Sequence, residues 1–226
     1  MISGKLVLGL ITARGGSKSV PKKNIIPISG KPLLNWTIEA AKSSSYLDKI
    51  VLSTDDPEIM EVGRMGGCEV PFQRSSELAS DTASSVDVVI DALERVPGFD
   101  IVVLLQPTSP MRLAKDIDGA LERLINANAP ACVSVRSALD HPYLIFGNTT
   151  DGRIYSYTTP HPNDSMRRQD LPTAWCLNGA VFVARVDWFM RERTFISQQT
   201  VIYQMPIDRS LDIDTPEDVK YFMSII

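Results

Sequence analysis

Short apolar runs rich in Val, Ile and Leu alternate with segments of helical period, and this alternation constrains the fold more than any other feature. The runs are Lys5 to Thr12, Lys49 to Thr54, Asp100 to Gln106, Ala131 to Val135, Gly179 to Arg185 and Thr200 to Met205. Their length and composition predict strands buried on both faces. Between the early runs lie four helical patterns. Pro32 to Ser43 spaces Leu33, Leu34, Ile38 and Ala41 along one face. Pro57 to Met65 follows Asp55-Asp56, a capping pair. Ser84 to Arg95 carries Val86, Val89, Ile90 and Leu93, and Ala114 to Asn126 carries Ile117, Leu121 and Leu124. Strands alternating with helices predict βαβ units and an α/β fold, with a mainly parallel central sheet covered on both faces.

The alternation breaks after Val135. Residues 136–178 are polar and rich in turn formers, including His141-Pro142, Gly147-Asn148, Asp151-Gly152 and His161-Pro162-Asn163-Asp164. This segment reads as an inserted, hairpin-bearing subdomain, and residues 1–135 and 179–226 as the α/β domain. Long connections of this kind are lids, binding loops or interface arms. The three cysteines, Cys68, Cys132 and Cys176, are odd in number and scattered. That argues against a disulfide framework or a zinc site and predicts reduced thiols in a cytoplasmic protein. No apolar run reaches the roughly 18 residues of a membrane span.

Net charge is −4 over 226 residues, which argues against a nucleic-acid binder. The charge is uneven. Residues 1–31 hold Lys5, Arg14, Lys18, Lys22, Lys23 and Lys31 with no acid, so they carry +6. The remainder carries 17 basic against 27 acidic residues, a net −10. Such asymmetry predicts a small anionic ligand near the N-terminal segment.

Three motifs give that ligand a chemistry. Thr12-Ala13-Arg14-Gly15-Gly16-Ser17-Lys18, running on to Pro21-Lys22-Lys23-Asn24, follows the first strand directly. Ligands of open α/β sheets bind at strand carboxyl ends. Paired glycines let backbone N–H groups approach a phosphate, and Arg14, Lys18 and Lys23 can neutralise a polyphosphate. The spacing fits neither a Walker loop nor a dinucleotide fingerprint. Gln106-Pro107-Thr108-Ser109-Pro110 ends another strand, where Gln106, Thr108 and Ser109 offer hydrogen bonds to a sugar or base. Asp212-Ile213-Asp214 places two carboxylates on one side of an extended segment. Hard oxygens of this kind suit magnesium beside substrate phosphates. Asp214 or Thr215, before Pro216-Glu217, also reads as a helix start.

These segments, together with Arg74, Glu77-Leu78-Ala79-Ser80-Asp81-Thr82, Arg168-Gln169-Asp170-Leu171-Pro172 and Asn178-Gly179-Ala180, run in order over nearly the whole chain. The set resembles the acylneuraminate cytidylyltransferases. The resemblance implies a three-layer, Rossmann-like nucleotidyltransferase that couples CTP to the anomeric hydroxyl of a nine-carbon 2-keto sugar acid, with magnesium, giving the CMP-sugar and pyrophosphate. It implies catalytic roles for Arg14, Lys18, Lys23 and Asp214. Ala13 to Ser17, Lys23, Asn24, Arg74 and Ser85 would bind CTP, and Asp212 and Asp214 the metal. Gln106, Thr108, Ser109, Arg168, Phe182 and Phe195 would meet the sugar, Phe195 from a partner chain. It also implies a homodimer joined through the insertion. His141 and His161 are read as structural, because a base needs a positioned partner.

The departures from the family pattern fall mainly on the sugar side. Cys176-Leu177 stands where Arg-Pro is usual, Leu144 where lysine is, and Phe182 where tyrosine is. Ser19 replaces a glycine and fits if its φ is negative. Pro142-Tyr143, Arg167 to Pro172 and Leu177 to Ala180 resemble the branch that activates legionaminic-type acids. Relatives acting on eight-carbon keto-deoxy acids carry Pro-Gly-Lys where this chain has Pro21-Lys22-Lys23. A catalytically silent nucleotide binder would lack the charged set that is present here.

Overall fold

The computed structural model describes residues 1–17, 19–158 and 167–226, with the side chain of Arg168 also outside the description. In chain order the elements begin with β1 (Val7–Thr12), β2 (Pro27–Ile28), β3 (Lys31–Pro32), α1 (Leu33–Lys42), β4 (Lys49–Ser53) and α2 (Pro57–Gly66). There follow α3 (Ser85–Arg95), β5 (Ile101–Leu105), α4 (Ala114–Asn126), β6 (Ala131–Ser137), β7 (Phe146–Asn148) and β8 (Ile154–Ser156). The chain continues with β9 (Trp175–Arg185), α5 (Val186–Glu192), β10 (Val201–Gln204) and α6 (Pro216–Ile225).

Six strands form one sheet in the order β10-β6-β9-β5-β1-β4. β9 runs antiparallel to β5 and β6, and the other pairings are parallel. Strand period two splits the core into two layers. Val7 and Ile11 of β1, with Ile101, Val103 and Leu105 of β5, face the apolar residues of α1, α2 and α4. Leu8, Leu10, Val102 and Leu104 face α3 and α5 on the other side. The expected α/β class with a mainly parallel, doubly covered sheet is therefore the observed one. A third cluster packs Val219 and Phe222 of α6 against Val20, Ile28, Leu33 and Ile213. This seats the C-terminal helix beside the loop that follows β1.

The hairpin expected within 136–178 is present as the antiparallel pair β7–β8. Its stem belongs to the main sheet, since β6 and β9 stay paired out to Ser137 and Trp175. His161 and its turn lie outside the described residues.

Candidate active site

A cleft of about 570 Å3 opens at the carboxyl ends of β1 and β5. Arg14, Ser17, Lys23, Asn24, Arg74, Ser85, Gln106, Thr108, Asp212 and Asp214 line it. Most of the expected site residues thus share one cavity, although they span 200 positions of sequence. The topology explains this: parallel strands deliver their exits to the same edge. Lys18 lies outside the described residues.

The loop after β1 starts on the sheet, with the Ala13 N–H donating to the Ser53 carbonyl at 3.1 Å. The buried Asn24 braces it from within, its amide donating to the Arg14 carbonyl at 2.9 Å. The expectation for Gly15 needs correction. Its N–H does not point at an incoming phosphate; it donates to Asp55 Oδ1 at 3.0 Å. A Cβ here would lie 2.7 Å from Asp56 Oδ2 and 2.8 Å from Asp56 Cβ, so this glycine makes room for a neighbouring loop. A Cβ on Gly16 would meet open space. Ser19 is not among the positive-φ residues, so its backbone does not call for glycine; Lys22 is left-handed at φ 51°.

The cations are held in place. Arg14 Nη1 lies 2.9 Å from Asp81 Oδ1 and 3.3 Å from the Ser80 carbonyl. Lys23 Nζ donates to the Ile213 carbonyl at 2.9 Å and to Asp214 Oδ1 at 3.0 Å. Arg74 is buried, its Nη2 3.5 Å from Asp55 Oδ1, and its Nε has no partner among the described residues. Burial pushes its pKa down, and the Asp55 carboxylate pushes it back up. Ser85 opens α3, just after the Ser84 cap.

Opposite stands the acidic wall. The Ile213 N–H donates to the Thr108 carbonyl at 2.8 Å, and the Ile213 side chain enters the third apolar cluster. That anchoring leaves Asp212 and Asp214 both lining the cleft, as the extended spacing predicts. Burial pushes the Asp212 carboxyl up from its ordinary value, against the pull of a Thr108 hydrogen bond, and Asp214 adds to the rise. Asp212 Oδ1 is buried without a partner among the described residues. The α6 cap is Thr215, not Asp214: its hydroxyl accepts from the Asp218 N–H in a capping box.

Three residues expected on the sugar side do not line the cleft of this chain. Ser109 is fully buried and does not line the cleft. Phe195 is 7% exposed and packs against Phe189, ring centroids 4.5 Å apart, in the layer under α5, so within this chain it is a core residue. Phe182 packs half-buried against the same cluster, 5.6 Å from Phe195, and is not among the residues that line the cleft. Arg168 begins a short 3-10 turn, and its side chain lies outside the description. His141 is structural: Nδ1 accepts from the Tyr143 N–H at 3.2 Å, and Nε2 donates to the Pro172 carbonyl at 3.0 Å.

Sequence reasoning missed Asp55 and Arg112. Asp55-Asp56 reads as a cap, and Asp56 is one, accepting from the Glu58 and Ile59 N–H groups. The first aspartate is thereby left for the loop. Arg112, 1% exposed, donates to the carbonyls of Gln106 (3.2 Å) and Ala180 (2.7 Å) and to Thr37 Oγ1 (2.7 Å). It locks the Gln106 turn to β9 and α1. Gly179, at φ +71°, completes that wall, because a Cβ there would lie 2.9 Å from Gln106 Oε1.

An open α/β sheet with a cationic loop facing a carboxylate pair is the architecture of a nucleotide-binding enzyme. A family model described as "Cytidylyltransferase" matches residues 8–224, and the chain belongs to that family. It is 36% identical over 211 residues to an N-acylneuraminate cytidylyltransferase of Streptococcus agalactiae, covering 92% of this chain and 50% of that protein. The chain thus spans about half the length of that relative. It is 34% identical over 220 residues to a pseudaminic acid cytidylyltransferase of Campylobacter jejuni (95% and 93% covered). It is also 34% identical over 222 residues to a CMP-N,N'-diacetyllegionaminic acid synthase of Legionella pneumophila (94% and 92% covered). The fold is similar to a solved CMP:2-keto-3-deoxy-manno-octonic acid synthetase complexed with CTP. That match has TM-score 0.74 at 17% identity and covers 97% of this chain and 98% of that one.

Proposed function

We propose that this chain transfers the cytidylyl group of CTP to the anomeric hydroxyl of a nine-carbon 2-keto sugar acid, releasing pyrophosphate. The observation that carries this reading is the cleft itself, where Arg14 and Lys23 face Asp212 and Asp214 beside the exit of β5. The three relatives named above are all cytidylyltransferases or synthases of nine-carbon acids, which supports that substrate class over the eight-carbon one. Their similar identities do not favour the legionaminic branch over the others.

Arg14, Lys23 and Lys18 neutralise the triphosphate. Lys23 is fixed between the Ile213 carbonyl and Asp214, so its ammonium needs little reorganisation when phosphate arrives. Arg74, Asn24 and Ser85 form the cytidine end. Gln106 and Thr108 face the sugar acid, and the Arg167-Arg168 pair supplies guanidinium groups suited to its carboxylate. The anomeric oxygen attacks the α-phosphorus as the bond to the bridging oxygen breaks. Both His141 nitrogens are engaged, so His141 is not the base for the hydroxyl proton.

Asp212 and Asp214 fit a magnesium ion, since they are hard donors at one wall and Asp212 keeps a buried oxygen without a partner among the described residues. Magnesium bound there supplies charge neutralisation and Lewis acidity at the phosphates.

The insertion supports a homodimer. Leu144, Ile145, Phe146, Ile154, Tyr155, Tyr157, Trp175 and Leu177 are all exposed on it, a density of apolar surface typical of an interface. Free cysteines and the CTP requirement favour the cytoplasm; among the described residues, no helix is long and apolar enough to cross a membrane.

The test is pyrophosphate release from CTP and magnesium with N-acetylneuraminate, a diacetyl legionaminate, pseudaminate and a keto-deoxy-octulosonate offered separately. Release with a nine-carbon acid is expected. Release only with the octulosonate, or with none, overturns the reading.

A further inference from the structure

The strongest unassigned feature is Asp55, at the exit of β4. It does not line the cleft, yet one of its oxygens touches both the loop after β1 and Arg74, which does. Oδ1 accepts from the Gly15 N–H at 3.0 Å and sits 3.5 Å from Arg74 Nη2. Its position is over-determined. The Asp55 carbonyl accepts from Gln73 Nε2 at 2.8 Å, and the next residue, Asp56, caps α2. Gly15 packs directly on that cap, as the 2.7 Å approach of a Cβ to Asp56 Oδ2 shows. Arg74 is buried, and the Asp55 carboxylate is the acid it pairs with, with Asp91 adding a weaker attraction. Without that carboxylate the buried guanidinium would lose its paired acid.

We propose that Asp55 is a positioning residue for CTP, one carboxylate that sets the Gly15 turn of the phosphate loop and the guanidinium of Arg74 in register. This rests on the reading of the cleft as a CTP site. The proposal has a definite sign. An aspartate merely near a triphosphate repels it, so neutralising Asp55 would tighten CTP. An aspartate that holds the binding groups in place must weaken CTP when it is removed.

The experiment is steady-state kinetics of Asp55→Ala and Asp55→Asn, with thermal melting of each. Asp55→Ala loses both contacts, and KM for CTP should rise about 10- to 100-fold, the range for a lost hydrogen bond to a charged group. KM for the sugar acid should stay within about twofold, because Gln106 and Thr108 are held by other bonds. Asp55→Asn keeps an oxygen that can accept from Gly15 and should recover at least about threefold of the loss. Unchanged or lower KM for CTP in Asp55→Ala overturns the proposal. So does an equal rise for both substrates, or no rescue by asparagine. If Asp55→Ala fails to fold, the asparagine variant alone decides, since it must still show weaker CTP binding than wild type. A wild-type protein that turns over no CTP would instead refute the cytidylyltransferase reading, which keeps the two failures distinct.

Discussion

Substituting the two loop glycines separately should give a loss of stability at one and almost none at the other, although they are adjacent in sequence. Neither is among the positive-φ residues, so alanine is not strained by backbone conformation at either position. At Gly15 the new Cβ would lie 2.7 Å from Asp56 Oδ2 and 2.8 Å from Asp56 Cβ. The second atom is the obstacle, because a Cβ moves only with its backbone. If Asp56 gives way, α2 loses the cap bonds to the Glu58 and Ile59 N–H groups, at 2.8 and 3.1 Å. A lost cap costs about 0.5–2 kcal/mol. If the loop gives way instead, overpacking costs about 1–3 kcal/mol and the Gly15 bond to Asp55 stretches. Either route destabilises Gly15→Ala by about 1–2 kcal/mol. At Gly16 nothing lies within 4 Å of a Cβ, and the change should stay within about 0.5 kcal/mol. Urea unfolding of both variants, with the slope m held constant, reads the difference. Equal stabilities for the two variants would refute the close-packing explanation of Gly15.

Other substitutions probe the frame around the cleft. Arg112→Met leaves the Gln106 and Ala180 carbonyls and Thr37 Oγ1 without their buried donor. A loss of about 1–3 kcal/mol is expected in chemical denaturation, and no loss would contradict the bridging role. Lys22→Gly removes a left-handed, φ 51° non-glycine residue at the expense of an exposed ion pair to Glu58. A higher melting temperature is expected; a lower one would mean that the ion pair outweighs the backbone strain. Burial pushes the Cys68 and Cys132 thiols up to about 12, so neither forms thiolate near neutral pH. A disulfide reagent at pH 8 should label at most Cys176 in the native protein and all three thiols in denaturant; rapid native labelling of two or more would contradict their burial.

Much of the frame was legible in the sequence because its signals are local. Strand runs such as Asp100 to Gln106 and the period of Ala114 to Asn126 come from side chains a few residues apart. The Asp212 and Asp214 alternation was readable for the same reason, since period two fixes their common side once Ile213 is buried. Ser109 and Phe195 misled because a motif position does not reveal which way a side chain turns. Ser109 sits one residue past Thr108 and faces inward, and Phe195 follows α5 into the core formed with Phe189. Asp55 was hidden by a correct but incomplete reading: two adjacent aspartates suggest a cap, and only the fold shows that one caps while the other meets a loop 40 residues away. Arg112 was hidden likewise, as its three acceptors come from α1, the end of β5 and β9.

The most direct measurement is of the bond made. CTP, magnesium and a nine-carbon acid labelled with 13C at its anomeric carbon would be incubated with the protein and followed by 31P and 13C NMR. The expected result is a labelled carbon split by phosphorus, with free pyrophosphate accumulating in equal amount. Hydrolysis of CTP with no carbon–phosphorus coupling, or bound CTP that stays intact with every acid offered, would contradict cytidylyl transfer.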